Sequence, residues 1–512
     1  MSRKLLTYNI LMLQILTVGI CNAQDILSNQ QHNSSNQIIS NAFLNNNAAV
    51  IPYLDYKNIA DFEISADIID GELGVLENGT SIQKLNIKIG SIKNLTENDI
   101  SWGGMSYQSG VKDNVMMNES SDYDMVYPYV MCDTLGGDDM KFEIYSFNLG
   151  YARRLSRFTV GGEFDYRAQK GYRAIDPRPN NTTSHLILKL GSTYALNNKY
   201  AVGIGGEYEL YKQSNSLTFH SEVSNPRIVQ LQGLGSENTM LSSKYSTYLF
   251  DGMRYGANLS YFSTEKKGIK AQFAYKKYHL EKQLPEQLYL TVNDVYEDML
   301  SGTIAYQFED GYFSSAIKLE AQHKIRKGIE YRFNLSDSNI YDVVSSSQKY
   351  NHSYQDMALS GYLERDLNKR FNLSIEPSIG LVNSIEENYS YNRELSYTQL
   401  YETLSVKAKY STDKSIFIVK PSISASQNLS KNLDLDGLYS WQTSYQVITS
   451  NYNYYTLNSF KYMLSVEYLQ QINSKISTKL SINGYYTNFA PVTVGESQFR
   501  NKGGAVSLAL LF

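Results

Sequence analysis

The feature that most constrains the fold of this chain is a two-residue period. It first shows clearly between Met140 and Arg167 and then recurs along the chain. Apolar and polar residues alternate on both sides of a short polar turn, Ser156-Arg157. Because successive side chains of a strand point to opposite faces, the pattern predicts hairpins with one apolar and one polar face. It returns around further short turns at 197–198, 264–266, 310–311, 368–369, 412–413 and 473–474.

The apolar face of such hairpins forms a core in a soluble protein and faces lipid in a membrane barrel. Two features favour lipid. The chain holds 44 tyrosines, and aromatic rings with one polar end collect at the membrane interfaces of barrels, here beside short turns at Phe158, Phe262 and Phe371. Short turns also alternate with long segments, among them 117–139, 215–252, 328–354 and 428–457, as expected for turns in the periplasm and loops outside the cell. A tyrosine-rich secreted sandwich or solenoid is the alternative.

The N-terminus predicts export. Residues 1–23 combine a basic head, an apolar run and small residues before Gln24, which is typical of a cleavable signal peptide. A lipoprotein acylated on Cys21 is the alternative, against which the bulky Ile20 argues. Residues 24–58, rich in Asn and Gln, predict a mobile lead or a plug, and residues 59–512 predict the barrel.

We therefore predict an all-β protein, a transmembrane antiparallel up-and-down β-barrel of about 18 strands in the outer membrane of a Gram-negative bacterium. Barrels of 14 or 16 strands around an N-terminal plug are the alternatives. The apolar row Val506, Leu508, Leu510 and Phe512 predicts a last strand that closes the barrel on the first. A strand ending in Phe resembles the signal that the barrel-assembly machinery recognises, so Phe512 is the predicted assembly signal and that machinery, with outer-membrane lipid, a predicted partner.

The polar rows of the strands are predicted to line the lumen. If the barrel is open, acidic residues of the fifth and seventh strands and basic residues of the ninth, fourteenth and fifteenth would form two walls of opposite sign. The alternative is that these charges pair as salt bridges in a filled lumen. The residues concerned are Glu163, Asp165, Arg167, Lys189, Glu207, Glu209, Lys270, Lys276, Lys407, Lys409 and Lys420.

Two loop motifs stand out from the strand pattern. One contains Asp122, Tyr123, Pro128, Tyr129, Asp133, Gly136 and Gly137, and the other contains Asp176, Pro177, Arg178 and Pro179. In order and spacing they resemble the "SDY…PY…D…GG" and "YR…DPRP.N" stretches of an uncharacterised family of outer-membrane β-barrel proteins of Bacteroidota. The resemblance implies the barrel and its membrane, and it implies no substrate.

Nothing local in the sequence predicts catalysis. The six histidines are dispersed, and none has the spacing of a metal-binding H-x-x-x-H motif. The acidic residues around Asp133 match no complete cation loop, so a solvated acidic loop is favoured, and an internal salt bridge is favoured for Asp176 and Arg178. With a net charge of −4 and no basic patch, nucleic acid is not an expected partner. We expect no enzymatic activity, no cofactor and no metal.

The leading functional hypothesis is passage or transport of a small polar solute, because a barrel of 18 strands, if open, encloses an aqueous channel. One alternative is a non-conducting accessory or scaffold barrel that binds partner proteins through its external loops. A second is a hydrophobic-ligand transporter similar to the long-chain fatty-acid transporter family. Asn46-Asn47-Ala48-Ala49 is similar to the N-terminal motif of that family except for its usual proline.

Overall fold

The computed structural model describes residues 26–27, 29–30, 33, 46–133, 138–220, 227–310, 313–335, 341–491 and 498–512. The chain forms a closed antiparallel barrel of 18 strands, as predicted. The strands are β1 Ile59–Gly71, β2 Ser81–Asn94, β3 Asp99–Val115, β4 Asp138–Leu155, β5 Phe158–Tyr172, β6 Arg178–Ala195, β7 Tyr200–Thr218, β8 Thr247–Ser263, β9 Gly268–Leu284, β10 Leu290–Asp310, β11 Phe313–Leu335, β12 Tyr341–Asp366, β13 Phe371–Asn388, β14 Arg393–Ser411, β15 Ser415–Asp434, β16 Ser459–Asn473, β17 Ile476–Phe489 and β18 Arg500–Leu511.

Several shorter elements accompany the barrel in the described part of the chain. Helix α1 spans Tyr123–Val126, helix α2 spans Thr443–Thr456, and short 3₁₀ turns span Ala48–Tyr53, Leu76–Asn78 and Pro285–Gln287. Met131–Cys132 pairs with Val229–Gln230 in a two-stranded sheet apart from the wall. Among the described helices, none has both the length and the apolar character needed to cross a membrane.

The two-residue period sets which side chains face outward. Leu149, Leu190 and Ile204 are all more than 60% exposed on the outer surface, and their polar neighbours point into the lumen. Large apolar side chains like these encircle the wall, and a belt of this kind suits contact with lipid rather than water. Phe262 is an exception to the predicted aromatic belt. It is 2% exposed, points inward and packs on Tyr53, while its neighbour Tyr261 lies on the outer surface.

The two ends of the barrel differ. Short turns and both termini of the barrel lie at one end, here called the short-turn end, and the remaining connections lie at the long-loop end. Several predicted loops are wrong in extent, because most of 328–354 and parts of 215–252 belong to strands. Beyond the lipid belt a strand needs no apolar outer row, so the period is lost at Ser345-Ser346-Ser347 although the ladder to β11 continues.

The last strand closes the barrel on the first, as predicted. Ile64 of β1 faces Leu508 of β18, and the main chains of Ala60 and Phe512 exchange hydrogen bonds of 3.0 and 2.8 Å. These bonds satisfy main-chain groups that an open edge would leave bare in hydrocarbon.

Deleting Phe512 should therefore reduce the amount of folded barrel in the outer membrane several-fold, because the closing pair of β1 and β18 loses its last two hydrogen bonds and the terminal ring. Heat-modifiable mobility on gels measures the folded fraction. Phe512→Tyr, which keeps the main chain and a ring, is the control and should assemble normally. A deletion variant that assembles at the wild-type level would contradict the assignment of Phe512.

Candidate functional site

The described part of the N-terminal lead lies inside the lumen at the short-turn end. Val50, Ile51 and Leu54 are buried against inward-facing residues of the wall, Phe262 among them. The Asn47 side chain is buried and accepts a hydrogen bond of 3.0 Å from the Ala49 main-chain N–H, which starts the 3₁₀ turn. This segment therefore occupies the lumen as a plug would.

Glycines on the inner face of β5, β6 and β7 make room for this segment. A Cβ on Gly191 would lie 1.9 Å from the Asn47 side-chain oxygen, and one on Gly161 would lie 2.7 Å from the Ala48 carbonyl carbon. On Gly205 it would lie 3.0 Å from the Asn46 carbonyl oxygen. The absence of side chains at these positions lets the segment lie directly on the wall.

Polar contacts fix the end of the same segment. The Arg154 guanidinium donates to the Pro52 carbonyl oxygen at 2.8 Å and lies 4.8 Å from the centre of the Tyr53 ring. The Thr159 hydroxyl donates to the Tyr53 hydroxyl oxygen at 3.0 Å. Three side chains of the wall and the segment thus hold the plug at the short-turn end.

A second obstruction enters from the long-loop end and contains the first loop motif. Residues 116–133 fold into the barrel, where Tyr123, Val126, Tyr129 and Met131 are buried in an apolar cluster. The cluster also takes side chains from the inner faces of β7 to β11. Pro128 follows Tyr127 in the same inward turn, and Asp133 is buried. Gly136 and Gly137 of the motif lie outside the described residues.

Arg326 of β11 clamps the second obstruction. Its guanidinium donates to the main-chain oxygens of Asp124 at 2.7 Å and Tyr127 at 3.1 Å. It also donates to the Glu297 carboxylate of β10 at 2.6 and 2.8 Å. The buried Arg326 guanidinium therefore donates hydrogen bonds both to main-chain oxygens at the end of α1 and to a carboxylate of the wall.

A continuous chain of ionisable groups connects this clamp to the other side of the same loop. It crosses the inner faces of β5 to β11, and neighbouring groups along it lie 2.5 to 3.4 Å apart. Its members, in order, are Asp122, Arg167, His185, Glu209, Arg254, Glu297 and Arg326. Both Asp122 and the Asp124–Tyr127 turn are thus tied to the wall, so ionic contacts hold the loop in addition to its apolar cluster.

The second loop motif lies next to the inward loop and contacts it through the preceding Arg173. Asp176 and Arg178 form the predicted salt bridge, at 2.7 Å, and the Asp176 carboxylate also accepts from the His220 main-chain N–H. The preceding Arg173 pairs with Glu119 at 2.9 Å, and the two side chains are 4% and 2% exposed. The Pro179 carbonyl oxygen accepts from the Arg173 main-chain N–H, which closes the loop between Arg173 and Pro179. The motif therefore anchors the start of the inward loop.

A buried carboxyl joins three segments at the long-loop end. Glu77 accepts hydrogen bonds from the Tyr123 hydroxyl of α1 at 2.9 Å and from the Asn451 amide of α2 at 2.7 Å. Burial raises the pKa of the Glu77 carboxyl above its ordinary value, although both hydrogen bonds act in the opposite direction.

The predicted lumen charges point inward but pair locally. Glu163 contacts Lys189 at 2.7 Å, and Asp165 contacts the same ammonium at 3.3 Å. Glu207 contacts Lys276 at 2.7 Å. For these three acidic residues the contacts agree with the salt-bridge alternative and not with two walls of opposite sign, because the partner cations lie on the next strand or the next but one. Of the remaining predicted positions, Lys270 donates to Gln307 at 3.2 Å, Lys420 pairs with Glu376 at 2.6 Å, and Lys407 and Lys409 are half-buried.

The inner face of β11 to β15 is less filled than the opposite side. The side chains of Lys318, Glu320 and Lys420 remain 23%, 39% and 34% exposed. A cavity of about 210 Å³ lies beside them, lined by Lys318 and by hydroxyl groups of β12 to β14. Charged groups on this side of the lumen therefore remain accessible to water.

Prolines interrupt the hydrogen-bonded wall beside this cavity. The pairing of β12 with β13 passes from Ser360–Ser378 directly to Leu363–Ile375, and Pro377 lies in the gap. Because proline has no N–H to give to the ladder, it is rare inside a sheet. A second cavity of about 540 Å³ lies here on the outer face, and Ser360, Gly361, Pro377, Ser378 and Thr403 line both cavities.

A family model described as a family of unknown function (DUF6850) matches residues 48–512. No curated protein sequence matches the chain.

Three solved structures illustrate the similarity in shape. A bacterial polysaccharide outer membrane secretin has a TM-score of 0.36 and 9% identity, over 90% of this chain and 100% of that one. The ferric enterobactin receptor PfeA has a TM-score of 0.41 and 8% identity, over 89% of this chain and 81% of that one. The ferric preacinetobactin receptor BauA of Acinetobacter baumannii has a TM-score of 0.37 and 8% identity, over 89% of this chain and 80% of that one. At TM-scores of this size the similarities carry no argument about what the chain binds.

Proposed function

We propose that this chain, which belongs to the family of unknown function DUF6850, passes a small polar solute across the outer membrane through a lumen that its own segments close at rest. The observation that supports this is the way the inward loop is held. Beside its apolar cluster, the loop contacts the wall through charged side chains, Asp122 to Arg167 and Arg326 to the α1 turn, and a polar solute that competes for these two contacts would loosen the loop.

The interior beside the obstruction suits a polar solute. Lys318, Glu320 and Lys420 present charges to the less filled side of the lumen, so displacement of the loop would widen an aqueous path that already exists in part. A barrel of 18 strands has the diameter for such a path. Localisation in a Gram-negative outer membrane, export through a signal peptide and an origin in Bacteroidota belong to the same proposal.

Swelling of proteoliposomes in neutral sugars of graded size tests the proposal. The wild-type barrel should admit the smallest sugars slowly, and Asp122→Asn should admit them faster, because Arg167 loses its charged partner on the loop. Asp251→Asn is the matched control, since Asp251 forms an exposed pair with Lys212 and does not touch the loop. If neither barrel admits any sugar, the scaffold alternative, with partner proteins bound to the external loops, replaces transport.

The interrupted wall favours a second candidate, the hydrophobic-ligand alternative. The outer cavity is lined by Ile317, Leu359 and Phe460, and the inner one by hydroxyl groups. The volume of the outer cavity, about 540 Å³, lies within the range of roughly 300–1,000 Å³ that is usual for ligand pockets. A molecule with an apolar chain and a small polar head would fit this division between lipid side and lumen side.

A disulfide across the gap should block such a ligand. In Ser360→Cys/Ser378→Cys the two sulfurs would replace hydroxyl oxygens that are 3.1 Å apart on paired strands. Oxidation should reduce binding of a fluorescent fatty acid by the purified barrel, and reduction should restore it. Ser481→Cys/Ser507→Cys, a register pair on β17 and β18, is the control. Equal binding by the oxidised forms of both variants would exclude entry at Pro377.

A further inference from the structure

A cluster of potential metal ligands lies on the outer face of the wall, beyond the lipid belt at the long-loop end. On the outward row of β9, Tyr275 is the last exposed large apolar side chain, and His279 and Glu281 follow it on the same face. Asp294 of β10 faces Glu281 across the ladder, and Tyr296 faces His279. The register of the hairpin thus brings one imidazole and two carboxylates together.

The distances within this cluster leave space for an ion. One ligand atom from each of His279, Glu281 and Asp294 lies within 4.8 Å of the other two. The His279 Nε2 and Asp294 Oδ1 atoms are 3.6 Å apart. That separation is too long for a hydrogen bond of about 2.7–3.2 Å. It is close to the roughly 3.4 Å between two ligands that each lie about 2.0–2.1 Å from a tetrahedral zinc ion.

The same two atoms lie within ion-pair distance of each other but lack hydrogen bonds. Both are buried, and neither has a hydrogen-bond partner among the described residues. Asp294 is only 4% exposed, so water does not compensate it fully. A buried polar atom without a hydrogen-bond partner destabilises a folded protein. A metal cation bound between these two atoms, 3.6 Å apart, would satisfy both.

Neighbouring side chains hold the three ligands in place. The Tyr331 hydroxyl of β11 donates to the other Asp294 oxygen at 2.5 Å. Gln283 and Thr291 donate to Glu281 at 2.8 and 3.2 Å, and the His279 ring stacks on Tyr296 with centroids 4.5 Å apart. Supporting hydrogen bonds of this kind orient metal ligands and are typical of metal sites.

We propose that His279, Glu281 and Asp294 bind a divalent transition-metal ion on the external face of the barrel. Imidazole with two carboxylates suits Zn²⁺ and similar ions, and three protein ligands leave a fourth position for water or an external group. The inference goes beyond the proposed function and does not depend on it, because the site lies on the outer surface and the solute path lies in the lumen. The sequence did not predict it, since the ligands come from two strands and have no motif spacing.

Calorimetric titration of the untagged, chelator-treated barrel with Zn²⁺ tests the site. The wild-type protein should bind one equivalent that His279→Gln and Asp294→Asn do not bind. Tyr331→Phe keeps all three ligands and should weaken binding by about 10–100-fold. His323→Gln, which changes a histidine of β11 outside the cluster, is the control and should bind as the wild type does.

Each variant is compared only where its heat-modifiable mobility shows a folded barrel. Absence of Zn²⁺ binding by the folded wild-type protein would overturn the proposal. So would an equivalent of Zn²⁺ that the folded Asp294→Asn and His279→Gln variants bind with unchanged affinity.

Discussion

Arg326→Ala should raise the ion conductance of the barrel well above the near-baseline level of the wild type and should lower its free energy of unfolding by about 3–5 kcal/mol, the usual effect of removing one partner of a buried ion pair. The substitution leaves the Glu297 carboxylate without its closest cation and the α1 turn without two main-chain hydrogen bonds. The inward loop then loses its hydrogen bonds to Arg326 of β11. Single-channel recording and urea unfolding in detergent measure the two effects.

Lys327→Ala is the control for Arg326→Ala. It removes a cation at the adjacent position of the same strand, but Lys327 is exposed on the outer face. The substitution should therefore change neither the conductance nor the free energy of unfolding. An Arg326→Ala barrel that is folded, equally stable and silent in the bilayer would show that the loop is not held by this clamp.

The second large effect is expected from Gly191→Ala. The added Cβ would lie 1.9 Å from the Asn47 side-chain oxygen, so the N-terminal segment must move away from β6. Overpacking of this kind destabilises by about 1–3 kcal/mol. We expect that loss in urea unfolding, together with faster thiol labelling of a cysteine placed at Tyr53.

Gly206→Ala is the matched control, because the nearest atom to its added Cβ is a main-chain oxygen 3.9 Å away. Gly206 lies on β7, one strand from Gly191, and its substitution should stay within about 0.5 kcal/mol of the wild type. Equal rates of thiol labelling at position 53 in the two glycine variants would argue against the claim that Gly191 makes room for the N-terminal segment.

The barrel itself follows from the sequence because each strand repeats one simple rule. Lipid outside and water or polar groups inside force a two-residue period, so the faces of β5 and the closing role of β18 could be read directly. The same rule fails beyond the lipid, where the continuation of β12 through Ser345-Ser346-Ser347 has no outer apolar row. Phe262 lies beside a short turn as the aromatic belt residues do, but it follows the outward-facing Tyr261 and therefore belongs to the inward row.

The closure of the lumen could not be predicted in the same way. The sequence assigns Glu207 and Lys276 to the inner face, but their contact depends on which strands are two apart in the ring. The inward fold of residues 116–133 rests on partners far away in the chain, such as Arg326 and Arg167. The second loop motif was more local, so the Asp176–Arg178 bridge could be anticipated from its spacing.

The central claim is that the chain closes its own lumen from both ends. Conductance in a planar bilayer tests this most directly when the wild type, Arg326→Ala, Gly191→Ala and the double variant are compared. We predict a wild type near the baseline, intermittent openings in each single variant and a steady, larger conductance in the double variant. A wild type that conducts as steadily as the double variant, or a folded double variant with no conductance, would contradict the claim.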